Sequence, residues 1–376
     1  MAKYEIAWLP GDGIGVDVME AARLVLDRIG LDAVYVPADI GWEFWRQEGE
    51  ALPQRTVEVL RTTTCALFGA ITSKPKDEAE RELRPELRGQ GLSYRSPIVR
   101  LRQMFDLYCN LRPCKAFPGN PLNYQDGIDL VVFRENTEGL YAGVEFRPFE
   151  GEVRAALEKH SPAMARFKDV PPDDIAISAR VITRHGASRI ARSAFDYARR
   201  YGYKSVTLVE KPNVLRETSG LMVEAGRAVA AGYPEIQFWD TNIDAQMMWL
   251  LKNPRDYGVL VTSNMFGDIL SDLCAQLVGG LGFASSGNIG DHYAVFEPTH
   301  GSAPKYAGQH KVNPMAMLLA VKLMLDWLGE TDKAQALEAA IGAVVREGRV
   351  RTYDMGGKNS TMEVAEAVAG RMKAAG

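Results

Sequence analysis

Short apolar runs alternate with stretches of helical periodicity along almost the whole chain, and this alternation limits the fold more than any other feature. Tyr4–Pro10 reads as a strand; a glycine turn follows, and Val18, Met19, Ala22, Val25, Leu26 and Ile29 then repeat on one helix face. Further strand candidates are Cys65–Gly69, Ile128–Phe133, Ser205–Glu210, Gly258–Thr262 and Tyr293–Phe296. Between them Ala187, Ile190, Ala191, Ala194, Tyr197 and Ala198, and later Leu337, Ile341, Val344 and Val345, keep helical spacing. Strands alternating with amphipathic helices indicate an α/β fold. Residues 314–328 (PMAMLLAVKLMLDWL) are apolar nearly all round and belong in a core or an interface. Residues 147–174 break the pattern with charges and a Pro-Pro pair, and read either as an excursion reaching another subunit or as a solvated loop.

A chain of 376 residues has room for two domains with a cleft between them. Its 44 basic and 48 acidic residues are interspersed and leave a net charge of -4, so no polycationic surface exists for nucleic acid. The start, MAKYEIAWLPGDG, has no basic region followed by a long apolar segment, so neither secretion nor membrane insertion is expected. Four cysteines, Cys65, Cys109, Cys114 and Cys274, lack CxxC spacing, which disfavours a cysteine zinc site and suits a reduced cytoplasm.

Three clusters carry chemistry. In Phe266–Leu273 (FGDILSDL), Asp268 and Asp272 stand one helical turn apart, where their charges repel unless something neutralises them. A hard cation such as Mg²⁺ or Mn²⁺ suits such oxygens, while helix capping is the structural alternative. Arg102 on a helix opened by Ser96 and Pro97, Arg112 in the next extended segment, and Arg134 at the end of a strand suit a small polyanion with several carboxylates. His300–Gly308 (HGSAPKYAG) offers Gly301, Ser302, Ala303 and Pro304 for close backbone approach. Lys305 and Tyr306 are there for a phosphate, and His300 can lie against a ring; the glycine-rich Gly279–Gly290 precedes it. By contrast Gly11-Asp12-Gly13-Ile14-Gly15 is a false friend. The Rossmann fingerprint needs Gly or Ala where Val16 stands, so these glycines read as a tight strand-to-helix turn.

Six blocks in order, LPGDGIG at 9–15, LRQMFDLYCNLRP at 101–113, RENTEGLYAG at 134–143, VEKPNVLRETSGL at 209–221, NMFGDILSDL at 264–273 and HGSAPKYAG at 300–308, resemble the metal-dependent β-decarboxylating dehydrogenases of isocitrate, homoisocitrate and 3-isopropylmalate. The resemblance implies the fold of that family, which is not a Rossmann fold: a large sheet shared by a large domain from both chain ends, 1–107 and 279–376, and a small central domain at about 108–278 with a dimer clasp. It implies that Asp268, Asp272 and Asp244 hold Mg²⁺ or Mn²⁺, with Asp244 supplied by a second copy, and that Ser96, Arg102, Arg112 and Arg134 hold the substrate. Lys211 and Tyr141 correspond to the acid–base pair, Lys211 drawing the proton from the C2 hydroxyl and Tyr141 protonating C3. Asn213, His300 to Tyr306, Asn313 and Tyr353 correspond to coenzyme contacts. A cytoplasmic homodimer with shared active sites follows, with a tetramer left open.

Within the family the substrate expectation is isocitrate first, homoisocitrate second and 3-isopropylmalate third. SGNIG resembles isocitrate-type members, Tyr94–Val99 resembles homoisocitrate-type ones, and RENTEG favours both over 3-isopropylmalate enzymes; Ile98 replaces the asparagine that isocitrate-type members place two residues after the serine, here Ser96. Arg95 is expected near the distal substrate arm, where it would suit a third carboxylate. Lys305-Tyr306 and Tyr353 resemble NADP-using members and tilt the coenzyme toward NADP, although Gly357 stands where a further arginine is expected. Pro212 directly after Lys211 is unusual for the family. A non-catalytic regulatory subunit and a Mg²⁺-dependent phosphotransferase remain as alternatives, but every carried-over catalytic position is filled and no P-loop is present.

Overall fold

The structure, a computed structural model, describes residues 2–372. Its strands are β1 (Tyr4–Gly11), β2 (Ala33–Pro37), β3 (Cys65–Ala70), β4 (Cys109–Lys115), β5 (Asp129–Glu135), β6 (Glu145–Phe146), β7 (Ile177–Ser178), β8 (Ser205–Glu210), β9 (Gln237–Asn242), β10 (Val259–Thr262), β11 (Ser285–Ile289) and β12 (Ala294–Pro298). Ten of them form one sheet in the order β2-β1-β3-β12-β11-β4-β5-β10-β8-β9, and β6 pairs with β7 apart from it. The first five in that order come from the two chain ends and the last five from the middle of the chain. Four strands at each side run parallel among themselves, whereas β11 and β4 are antiparallel to each other and to their outer neighbours.

Every apolar run read as a strand is one, to within a residue or two at each end. Of the four remaining strands of the ten-stranded sheet, β4 contains the extended segment expected around Arg112, and the other three have no counterpart in that reading. β2 and β9 are half-exposed edge strands, so only part of each is apolar. β11 corrects the reading of Gly279–Gly290 as a loop. Its sequence SSGNI looks like a turn, yet it is paired on both sides and almost wholly buried, because neighbouring strands decide its conformation against local propensity. The excursion at 147–174 holds a helix, Gly151–His160, beyond the small β6–β7 pair.

Period-two alternation along the central strands assigns the two faces of the sheet. Cys109, Leu111, Val131 and Phe133 turn to the larger core, where helices Ile14–Ile29, Arg184–Tyr201 and Met315–Trp327 pack. The last of these is the run that is apolar all round, and nine of its residues are buried. Cys114, Leu130 and Val132 turn to the opposite core under helices Ile243–Lys252 and Asn264–Gln276. Asn110, Arg112 and Arg134 share that second face.

The GDGIG turn serves packing. A Cβ on Gly15 would fall 2.3 Å from the Pro10 carbonyl oxygen and 2.6 Å from the Ala70 nitrogen, so only glycine lets the helix start against β1 and β3. The Ile14 N–H donates to the Ser302 carbonyl at 2.9 Å, so protein rather than a pyrophosphate occupies this helix start. No helix among the described residues is long and apolar enough to cross a membrane.

Two outcomes are expected. Gly15→Ala overpacks the turn and lowers the urea midpoint by the equivalent of ~1–3 kcal/mol. All four cysteines are free and buried, and burial pushes the Cys65 and Cys114 thiols up to about 12. The folded protein should therefore not react with a disulfide reagent at pH 8, whereas the denatured chain should titrate all four thiols.

Candidate active site

Three arginines from different elements meet on the second face of the sheet. Arg102 comes from helix Pro97–Met104, Arg112 from β4 and Arg134 from β5, and all three side chains are buried. The Nε of Arg102 donates to Asn288 Oδ1 at 2.8 Å and its Nη2 to Glu297 Oε1 at 3.3 Å. Arg112 donates from Nε to Asn110 Oδ1 at 2.7 Å and from Nη1 to Ser271 Oγ at 2.7 Å. Arg134 gives Nε and Nη2 to Asn264 Oδ1 at 3.0 and 2.8 Å.

Helix Asn264–Gln276 lays its Asp268–Asp272 pair against these guanidiniums. Asp268 Oδ1 accepts from Arg134 Nη1 and, at 3.4 Å, from Arg112 Nη2, while Asp272 Oδ1 lies 3.5 Å from Arg112 Nη1. Gly267 makes this possible, since a Cβ there would stand 2.6 Å from Arg134 Cγ. Burial opposes ionisation of Asp268, but Arg134 and Arg112 outweigh it and hold the carboxyl below its ordinary range. Asp272 moves the other way, through burial and the charge of Asp268. Tyr141 Oη donates to Asp268 Oδ2 at 2.9 Å, and burial together with the Asp268 charge raises its pKa. The phenol therefore keeps its proton and has it to give.

Lys211 and Asp244 form a separate pair. Lys211 follows β8 directly, Asp244 lies in the first turn after β9, and Nζ meets Oδ1 at 2.5 Å. Beneath them Glu210 is fully buried and is held by Arg180 at 2.9 Å, the Ser219 hydroxyl at 2.6 Å and the Ser263 N–H at 3.1 Å, which fixes the strand end that carries Lys211. No hydrogen bond or ion pair among the described residues joins this pair to the arginine cluster. Nor do three aspartate, glutamate, histidine or cysteine side chains converge there into a metal-holding group. One chain thus presents Asp268 and Asp272 without Asp244. The first two still fit a hard divalent cation: they are oxygen donors one turn apart, and the Asp272 side chain is 65% exposed with no basic partner nearer than 3.5 Å.

Ser96 sits at the N-cap position before Pro97, but its hydroxyl does not cap the helix, contrary to the sequence expectation; it makes no hydrogen bond among the described residues. Ile98 is buried in the cluster containing Leu9, Phe68 and Leu101. Arg95 lines a recess with Trp45, Gly49, Glu50 and Arg100.

The loop after β12 is fastened to the first helix by Asp17, whose carboxylate accepts from Gly308 N at 3.1 Å and His310 N at 3.2 Å. Ser302 and Thr72 share a hydroxyl bond of 2.6 Å. Beyond the loop's Gly301, Ala303 and Pro304, Lys305 Nζ lies 4.7 Å from the Tyr306 ring centre, the Tyr306 and Tyr353 rings are 5.7 Å apart, and Lys311 Nζ is 5.1 Å from the Tyr353 ring. Hydrogen bonding to Lys305 lowers the Tyr306 pKa. His300 Nε2 is enclosed without a partner, and burial lowers its pKa, so the ring is neutral. Asn313 is less free than expected: it donates to Asp354 at 3.0 Å and accepts from Met315 N at 3.0 Å. Asn213 is exposed in the turn just after Lys211.

Sequence reasoning missed Asn110, Asn264, Asn288, Glu297, Glu210, Arg180, Asp17 and Thr72. Only the pairing of β11 with β4, which sets Asn288 directly opposite Asn110, gives several of them a purpose.

A family profile described as Isocitrate/isopropylmalate dehydrogenase matches residues 5–368. The 3-isopropylmalate dehydrogenase of Methanothermobacter thermautotrophicus is 42% identical over 369 residues, covering 98% of each chain. The isocitrate/homoisocitrate dehydrogenase of Thermus thermophilus is 40% identical over 372 residues, 98% of this chain and 99% of the relative. Protein DlpA of Legionella pneumophila, 40% identical over 366 residues, is longer, and the chain spans 58% of it. The crystal structure of isocitrate dehydrogenase from Methylococcus capsulatus superposes with a TM-score of 0.84 at 38% identity, covering 98% of this chain and 99% of that one. With the sheet order, the arginine cluster and a full-length family match in agreement, the chain belongs to the isocitrate/isopropylmalate dehydrogenase family and is a decarboxylating dehydrogenase of hydroxy acids that uses a divalent metal and NAD(P).

Proposed function

We propose that the protein oxidises isocitrate to 2-oxoglutarate with release of CO₂, using NADP, as a homodimer whose two active sites are shared. The observation that carries the substrate choice is the convergence of three buried guanidiniums below a helix whose first residue is preceded by the unbonded Ser96 hydroxyl. Guanidiniums hold carboxylates in fixed geometry, and a free hydroxyl at the rim suits a polar distal arm better than an isopropyl group. Homoisocitrate, longer by one methylene, is the second reading, because relatives carry that name. The lobes 1–107 with 279–376 and 108–278 are proposed as the two domains, since their strands meet only where β11 pairs with β4.

The dimer is argued from exposed apolar surface. On helix Ile243–Lys252 Met248 is 72% exposed and Trp249 and Leu251 are open as well, and Ile269 on the neighbouring helix Asn264–Gln276 is 54% exposed. A second copy covering these helices brings the Lys211–Asp244 pair of one chain to the Asp268–Asp272 pair of the other. The four free thiols support a cytoplasmic setting.

In the reaction Arg102, Arg112 and Arg134 orient the substrate carboxylates. Asp244, Asp268 and Asp272 are the residues to hold the metal, which when bound acts as a Lewis acid on the C2 oxygen. Lys211 takes the C2 hydroxyl proton. Tyr141, kept protonated by burial and by Asp268, delivers its Oη proton at C3 after CO₂ leaves. NADP is supported by Lys305, Lys311 and the Tyr306–Tyr353 pair, with Lys311 a second cation in a cluster where Gly357 supplies none.

Isocitrate, homoisocitrate, 3-isopropylmalate and D-malate, each with NAD⁺ and NADP⁺ and Mg²⁺, should single out isocitrate with NADP⁺; turnover of 3-isopropylmalate alone overturns the substrate reading. Asp268→Asn should cut kcat by about 10²–10³-fold, the scale of losing one electrostatic stabiliser. Full activity of that variant in the presence of a chelator sinks the metal assignment. Replacing Lys305 by Asp together with Tyr306→Ile should shift the NADP⁺-to-NAD⁺ ratio of kcat/KM toward NAD⁺ by roughly 10–100-fold, the worth of one or two charged hydrogen bonds.

A further inference from the structure

The three arginines have one feature in common: each gives its Nε hydrogen to the amide oxygen of an asparagine. Arg102 uses Asn288 at 2.8 Å, Arg112 uses Asn110 at 2.7 Å and Arg134 uses Asn264 at 3.0 Å. The three asparagines are all but fully buried and come from β11, β4 and the first residue of helix Asn264–Gln276. Two of them, Asn110 and Asn288, are themselves linked. Asn288 Oδ1 also accepts from Asn110 Nδ2 at 2.8 Å and Asn136 Nδ2 at 3.1 Å, and Asn288 Nδ2 donates to Glu297 at 2.7 Å.

We infer that Asn110, Asn264 and Asn288 are positioning residues that hold the three guanidiniums in place without neutralising them, so that their charge is kept for the carboxylates of the substrate. A buried arginine needs its donors satisfied, and aspartate would do this more strongly than asparagine. A carboxylate at Nε would, however, compete with the substrate for the same charge at close range. The carboxylates that do touch the cluster do not weaken this logic. Asp268 and Asp272 are the proposed metal ligands, so a divalent cation offsets them, and Glu297 reaches only Arg102, at 3.3 Å. Neutral amides at all three Nε positions leave the cluster fixed and cationic. The inference rests on the substrate reading given above.

The isosteric change Asn→Asp separates positioning from packing, because it keeps the hydrogen bond to Nε and the side-chain volume. Asn264→Asp is the variant of choice; Asn288 is avoided because an aspartate there would face Glu297, and Asn110 because an aspartate there would set a carboxylate oxygen against Asn288 Oδ1. For each dimeric enzyme with Mg²⁺, isocitrate affinity is measured by titration calorimetry, isocitrate KM and kcat by turnover, and NADP⁺ affinity separately. The expected result is a melting temperature equal to or above that of the parent, an isocitrate Kd and KM raised at least tenfold, a smaller change in kcat, and unchanged NADP⁺ affinity. Unaltered isocitrate affinity in Asn264→Asp overturns the inference. So does a parallel loss of isocitrate affinity, NADP⁺ affinity and melting temperature, which marks a role in folding alone. If the parent enzyme neither binds nor oxidises isocitrate, the substrate reading itself fails, a result distinct from the other two.

Discussion

Three buried guanidiniums packed within reach of one another repel, and their assembly is the condition that the rest of this structure satisfies. Burial makes each charge costly unless its donors are paired. The sheet supplies the partners by running β11 and β4 antiparallel at its centre, where strands from the chain ends meet strands from the middle. The same junction sets Asn288 against Asn110 and lays Arg102, Arg112 and Arg134 on one face. Helix Asn264–Gln276 then closes over that face with two aspartates, and Gly267 permits the approach.

The two faces of the sheet are used differently. The face toward helices Arg184–Tyr201 and Met315–Trp327 also bears a cavity of about 390 Å³, lined by Lys115, Tyr197 and Phe283 among others. It lies on the side of the sheet away from the arginines, because Lys115 alternates with Cys114 and Arg112 along β4. Cavity size is therefore a poor guide to the chemistry here. The reactive face is filled by its own ion pairs, and in a single chain its carboxylates and its Lys211–Asp244 pair stand apart. That division, and the exposed Met248, Trp249, Leu251 and Ile269, are what support the proposal of a site completed by a second copy.

The coenzyme side follows another principle. Asp17 and the Ile14 N–H fasten the loop after β12 to the first helix, so the turn that mimics a dinucleotide fingerprint acts as an anchor for a different loop. The Lys305, Tyr306, Tyr353 and Lys311 group is then presented at the surface, where its charge is open to a ligand.

Much of this was legible in the residues alone. Apolar runs and helical spacing located most strands and the buried helix Met315–Trp327, and helix geometry put Asp268 and Asp272 on one side. These are local properties, set by periods of two and 3.6 residues. Strand β11 was illegible because SSGNI has turn-like propensity and owes its conformation to two neighbours distant in sequence. For the same reason the asparagines behind the arginines and the Glu210–Arg180 support of Lys211 could not be read. Hydrogen-bond partners separated by 130 to 186 residues, as in Arg134–Asn264 and Arg102–Asn288, leave no periodic trace. The sequence by itself determined which elements form and which residue types carry charge. Only the tertiary structure decided which charges meet, because contact between distant residues is a property of strand order and register rather than of spacing along the chain.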